Sequence, residues 1–228
     1  MWLLADFEPV AAFGLRPSNT TSSGGKSLIC PTPYAIKMAL LDRMIRTLGL
    51  DYGLSRFEDV RNLHIIARVP LAVAVNRTFQ KVLRPGGNPW ISTIVQREFC
   101  IFAGPLTLAF EIHANEFAAE LPGILSAVNY FGRRGGFFQL ANVPVATLDE
   151  PAVQEGFADL SRPATAPGLG FLQRMDDMRP DAIFDDVSVM NPNPRSSDGG
   201  RVSYTVIFPY LLERHGFNHT VYVRQAAS

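Results

Sequence analysis

Cysteine is scarce in this 228-residue chain: only Cys30 and Cys100 occur, each inside an apolar run. Two isolated thiols build no disulfide framework, so they read as buried free thiols of a reducing cytoplasm and imply no secretion. Net charge is absent too, because 21 Lys and Arg balance 21 Asp and Glu, and a zero sum by itself disfavours a nucleic-acid partner. The opening MWLLADFEPVAAFG has no basic flank and carries Asp6 and Glu8 inside its apolar run. That pattern argues against a signal peptide or a membrane span and suits a first strand.

Signatures of catalysis are equally thin. Gly25, Lys26 and Ser27 end like a nucleotide-phosphate loop, but the earlier glycine that the motif requires would fall at Thr20. There is no G-x-S-x-G serine elbow. His64, His113, His215 and His219 are scattered, and HGFNH sets the last pair in a strand-like, glycine-containing stretch that lacks a zinc helix's geometry. With two distant cysteines there is no metal set, and no cofactor is expected. Metal-independent RNA cleavage needs His, Tyr or Lys arranged for acid-base work; His215, His219 and Tyr204 would be the candidates, with unpatterned surface histidines as the plainer reading. No solenoid-like repeat is present.

What the chain does have is 47% hydrophobic residues with 16 Phe, 17 Pro and 18 Gly, a composition that suits one packed, loop-rich domain with insertions. The zero net charge also conceals segregation. Residues 13–135 hold 14 Lys and Arg against 8 Asp and Glu, whereas residues 136–228 hold 7 against 11. A basic face toward an anion and a different surface elsewhere would produce this asymmetry, as would ordinary solvated faces.

Periodicity orders the elements. Pro31 and Pro33 block an earlier helical start, Thr32 can cap, and Ile36, Leu40, Met44 and Leu48 recur at helical spacing until Gly49. A short helix or loop is expected over 51–62. LHIIARVPLAVAVNRTF reads as strand with an edge or bulge at Pro70, and RPGGNP demands a turn, giving a protruding hairpin. TIVQREFCIFAGPLTLAFEIH is further strand broken at Gly104-Pro105; a second helix follows over about 114–130, then the strand GFFQLANVPVATL. The order predicts an α+β, ferredoxin-like (RRM-like) domain over 1–148, with a hairpin thumb near 77–93 inserted between its second and third strands. Residues 149–194, acidic and proline-rich, read as an irregular surface excursion. RVSYTVIFPYLL and NHTVYVRQ then supply terminal strands, so that 149–228 packs on the same body.

Three segments could hold an anion. The loop SNTTSSGGKS offers hydroxyl, amide and cationic groups through Arg16, Ser18, Asn19, Thr20, Thr21 and Lys26; a plain surface loop is the alternative. NYFGRRGGFFQL interleaves Arg133 and Arg134 with glycines, including Gly135 and Gly136, and with aromatic rings. Guanidinium groups there would hold a backbone while rings stack on bases; otherwise it is a helix-ending turn beside core phenylalanines. Successive strand residues alternate faces, so Phe137 and Phe138 cannot both enter the core, which favours one exposed ring. The hairpin adds Arg77, Lys81, Arg84 and Trp90.

The strand ending in AFG, the loop RPSNTTSSGGKS, the helix start CPTPYAIKMALLDRMI, the strand QREFCIFAGPLTLAF and the glycine-rich turn after the second helix resemble the Cas-five family. That family comprises RAMP-superfamily subunits of type I CRISPR Cascade complexes. The matching segments cover residues 2–140. The resemblance implies a non-catalytic ferredoxin-like body with a thumb, binding the 5′ handle of crRNA and sitting at the foot of the Cas-seven backbone beside a Cas-eight-type large subunit. Target DNA would be met through the complex, base pairing would supply target specificity, and no membrane would be involved. The polar loop, the hairpin and the glycine-arginine turn would then be RNA contacts. The family branch that cuts precursor RNA uses a Tyr, Lys and His set that does not align here, which argues against cleavage; an endoribonuclease on the same fold and a small-molecule enzyme on a ferredoxin-like fold are the alternatives.

Overall fold

The computed structural model describes every residue except 21–24, 87–89, 114, 133–135, 150–155, 165–168, 189–190, 192–197 and 226–228. Strand β1 spans Trp2–Pro9 and helix α1 spans Pro33–Leu48. The helix starts where the sequence says it should: the Thr32 hydroxyl oxygen accepts from the Ala35 N–H at 3.2 Å, and Pro33 sits in the first turn. It stops at Gly49, whose φ of +97° suits glycine. Ile36, Leu40 and Met44 are fully buried, whereas Leu48 is half exposed, so the apolar stripe leaves the core in the last turn. Short helices α2 (Leu50–Ser55) and α3 (Phe57–Arg61) lead to β2, Ile65–Arg68.

After Pro70 the chain leaves the main sheet as β3, Ala72–Arg84, and returns as β4, Ile91–Ala103. These 13-residue strands pair without a bulge from Ala72 opposite Ala103 to Arg84 opposite Ile91. Gly104, at φ +102°, and Pro105 mark the return to β5, Leu106–Glu111. Both expected breaks are thus the joints between body and hairpin. Helix α4, Glu116–Ala127, is capped by the Asn115 side chain, whose Oδ1 accepts from the Ala118 N–H. The fourth strand of the motif is interrupted: β6 (Phe138–Leu140) pairs with the end of β1, and β7 (Val145–Thr147) pairs with its start.

Strand order in the main sheet is β6-β1-β5-β2, antiparallel throughout, with α1 and α4 in the two crossovers. This is a ferredoxin-like fold. Strand β8, Phe157–Asp159, adds to the free edge of β2. Beyond it, the expected excursion contains β9, Phe171–Met178, largely buried on α1, and the one-turn α5, Phe184–Val187. The sequence hides β9 because its buried residues include Gln173, Asp176 and Asp177, on both faces of the strand and each held by hydrogen bonds. Strand β10, Arg201–Phe208, pairs with β9 to form a ribbon. Strands β11 (Tyr210–His215) and β12 (His219–Arg224) join the hairpin base, giving the order β11-β12-β3-β4. Since β12 reaches only to Asn76, the hairpin beyond it has no further strand partner among the described residues.

The phenylalanines concentrate where the layers meet. Phe7, Phe13, Phe131 and Phe138 are fully buried, with Phe7 and Phe131 ring centroids 5.0 Å apart and Phe13 and Phe138 4.9 Å apart. One buried ion pair binds β9 to α1: Lys37 Nζ lies 2.7 Å from Asp177 Oδ1 and donates to the Arg61 carbonyl at 2.9 Å.

Candidate nucleic-acid interface

The polar loop after β1 is stitched to β4 along both limbs. Phe13 and Cys100 exchange backbone hydrogen bonds of 3.0 and 2.7 Å; Leu28 N–H donates to Leu15 at 2.7 Å, and Glu98 N–H to Gly25 at 2.8 Å. The Glu98 carboxylate accepts from the Ser27 N–H at 3.1 Å and from Arg77 at 3.4 Å, so one acid joins loop and hairpin. Glycine is required here by proximity: a Cβ on Gly25 would lie 1.8 Å from the Gln96 carbonyl oxygen. At the tip, Arg16 Nε donates to Thr20 Oγ1 at 2.8 Å and the Thr20 hydroxyl donates to the Pro17 carbonyl at 2.9 Å. Ser18, Asn19 and Lys26 are exposed.

The glycine-arginine turn arrives beside this loop. Gly132, at φ +72°, faces Leu15 and Ala35, and Phe131 N–H donates to the Gly136 carbonyl at 3.2 Å. Phe138 is buried and Phe137 is 50% exposed, the division that strand alternation demands. Thr21, Arg133, Arg134 and Gly135 lie outside the described residues.

Three adjoining depressions run along the loop and share residues. The first, about 390 Å³, is lined by Arg16, Ser18, Asn19, Tyr34, Gly132, Arg174, Asp176 and Arg201 among others. Arg16 and Leu15 carry it into the second, about 270 Å³, with Lys26, Gln80, Arg97 and Glu98. Lys26, Ser27 and Glu98 carry that into the third, about 120 Å³, with Arg77, His215, His219 and Tyr222. Together they make a stretch of pitted surface, hereafter the groove, lined by Arg16, Lys26, Arg77, Arg97, Arg174 and Arg201. Its only acids among the lining residues are Asp176 and Glu98, and both already accept hydrogen bonds. Cations that outnumber acids along a concave surface raise its potential toward a polyanion.

Arg77 therefore belongs to the groove at the hairpin base. Farther out, Phe79, Lys81 and Leu83 share one face with Ile94, all exposed, while Arg84 lies on the other face and Trp90, 61% exposed, stands beside the turn. The exposed apolar side chains make this a surface built to be covered.

The structure does not assemble His215 and His219 with Tyr204. Tyr204 donates to the Leu160 carbonyl at 2.8 Å and lines a separate depression with Lys37, His64 and Asp177. Lys26 and Tyr222 instead neighbour the two histidines. Burial pushes the Cys100 thiol up to about 12 and raises Cys30 as well, so both stay protonated and non-nucleophilic at neutral pH. Among the described residues no group of three or more His, Cys, Asp or Glu could hold a metal ion, and no helix is long and apolar enough to cross a membrane.

Sequence reading missed Arg97, Arg174, Arg201, Asp176 and Tyr34. Arg97 is visible in the strand QREF, but nothing local marks it as groove-facing. The ribbon residues reach the loop only through tertiary pairing, exemplified by Gln173 Oε1 accepting from Ile29 N–H at 2.8 Å.

No protein-family model matches the chain, and no curated protein matches it. Among solved structures, a CRISPR protein from Archaeoglobus fulgidus is similar at 14% identity and TM-score 0.48, with 98% of this chain and 92% of that one covered. A chain from a structure of the type III-B Cmr-beta bound to cognate target RNA is similar at 12% identity and TM-score 0.44, covering 98% and 86%. Another, from the type III-B Cmr-beta bound to cognate target RNA and AMPPnP, gives 9% identity and TM-score 0.40, covering 100% and 85%.

Proposed function

We propose that this chain is a non-catalytic, cytoplasmic RNA-binding subunit of a type I CRISPR Cascade complex, in which it holds the 5′ handle of crRNA. The observation that carries the proposal is the groove of three adjoining depressions, lined by Arg16, Lys26, Arg77, Arg97, Arg174 and Arg201 in a chain of zero net charge. A single-stranded RNA matches it: phosphates neutralise the cations, while Ser18 and Asn19 offer partners for 2′-hydroxyls. The loop, helix-start and strand motifs resembling the Cas-five family supply the choice of RNA. The hairpin's exposed Phe79, Leu83 and Ile94 suit contact with the Cas-seven backbone or a Cas-eight-type subunit, and through them with target DNA. Co-expression with its genomic neighbours and a CRISPR array, followed by sequencing of bound RNA, tests this. Uniform short RNAs sharing one 5′ end are expected; purification without RNA or partners would overturn the assignment.

A second reading, a metal-independent endoribonuclease, draws on the clustering of Lys26, His215, His219 and Tyr222 around the third depression. It requires that the protein alone cut precursor RNA in chelator, and that His215→Ala with His219→Ala abolish the cut while leaving RNA binding intact.

A further inference from the structure

The end of the groove farthest from the hairpin has a chemistry of its own. On the β9–β10 ribbon Asp176 pairs with Ser203 and Arg174 with Thr205, so Arg174, Asp176, Arg201 and Ser203 point from one face. That face meets α1 at Tyr34. The Arg201 guanidinium carbon lies 4.1 Å from the centroid of the Tyr34 ring, and the Tyr34 hydroxyl donates to the Gly199 carbonyl at 3.2 Å. Tyr34 is thereby nearly buried, while Arg201 is exposed and presents its outer side to the cleft. Gly199 and Gly200, at φ +65° and +66°, make the bend that delivers Arg201 over the ring. A Cβ on Gly200 would approach Asp186 and Ala182 Cβ atoms at 3.1 and 3.2 Å.

Resting on the reading of the groove as an RNA site, we propose that this end is a single-nucleobase pocket selecting guanine. The base stacks on the outer side of the Arg201 guanidinium, which lies over the Tyr34 ring, and Arg174 and Arg16 take the attached phosphate. Asp176 reads the Watson–Crick edge. Its Oδ1 accepts from the Ser203 hydroxyl at 2.6 Å, which fixes the carboxylate, and its Oδ2 has no hydrogen bond among the described residues. Guanine offers two adjacent donors, N1–H and N2–H, to such a carboxylate. Uracil offers one N–H flanked by two carbonyl oxygens that the carboxylate repels. The volume of about 390 Å³ is at the small end of ligand pockets and admits one nucleotide.

The test uses the full chain in two arms. Calorimetric titration with GMP and UMP reads the pocket directly, and fluorescence anisotropy with UUGUU and UUUUU reads it within RNA. GMP should bind more tightly than UMP, and UUGUU more tightly than UUUUU. Arg201→Ala should weaken GMP about tenfold or more through lost stacking, and Asp176→Asn, which keeps the Ser203 hydrogen bond, should erase the preference for GMP. Equal binding of GMP and UMP by the unsubstituted protein, or variants that bind GMP as it does, would overturn the pocket. If no oligonucleotide binds while GMP retains its preference, the RNA reading falls and the pocket stands as a free-nucleotide site. If oligonucleotides bind and neither substitution alters discrimination, the pocket alone falls.

Discussion

Lys37 and Asp177 tie helix α1 to strand β9, and the contacts set the energetics of the pair. Lys37 leaves from α1 two positions after Ala35 and pairs with Asp177 on β9, both nearly inaccessible, with Nζ to Oδ1 at 2.7 Å. Burial lowers the Lys37 pKa and raises that of Asp177, each toward its neutral form, and their mutual attraction opposes both shifts. Lys37→Met strands a buried carboxylate and the Arg61 carbonyl, which Lys37 now serves at 2.9 Å. Asp177→Asn strands a buried ammonium but keeps an oxygen for the Met178 N–H, which donates at 2.7 Å. Each single change should cost about 3–5 kcal/mol, because an unpaired buried charge costs more than the pair contributes. The double substitution removes both charges and leaves chiefly the Arg61 carbonyl unmet, costing about 1–3 kcal/mol. The double variant should therefore be more stable than either single one. Urea unfolding with a common m-value measures this cycle. Additive losses, or single losses below about 1 kcal/mol, would show that the pair is solvated and does not clamp the ribbon.

Gly25→Ala should detach the loop's return limb, since its Cβ would lie 1.8 Å from the Gln96 oxygen; RNA affinity should fall by more than global stability, read by anisotropy beside urea melts. Thr32→Ala removes the cap of α1 and should cost about 1 kcal/mol in a urea melt. His64 is held between Asp159 at 3.0 Å and Glu111 at 2.9 Å, and its hydrogen bond to Asp159 raises its pKa above the ordinary histidine value. That contribution is complete below the unfolded-state pKa and is lost as pH rises through the higher folded one. Stability of the unsubstituted protein relative to His64→Gln should thus decline from weakly acidic to alkaline pH, and a difference independent of pH would refute the paired imidazolium.

Local chemistry made much of the body legible. The Thr32 cap, the Gly49 stop, the Pro70 and Gly104-Pro105 joints and the Phe137–Phe138 division all depend on backbone geometry within a few residues. The charge imbalance of residues 13–135 likewise matches the side of the groove that holds Arg16, Lys26, Arg77 and Arg97. Arg174 and Arg201 escaped because their segment is acidic overall, and only strand pairing sorts its cations onto the groove. Strand β8 escaped for a simpler reason: three residues carry no readable alternation.

The central claim is that one polyanion occupies the groove from Arg201 to Arg77, and the salt dependence of RNA affinity tests it most directly. If four to six of the cations meet phosphates, log affinity against log salt should slope at about −3 to −4 for a single strand. Lys26→Ala with Arg97→Ala should flatten that slope by about 1.4. No RNA affinity, or a slope near zero unchanged by those substitutions, would contradict the claim.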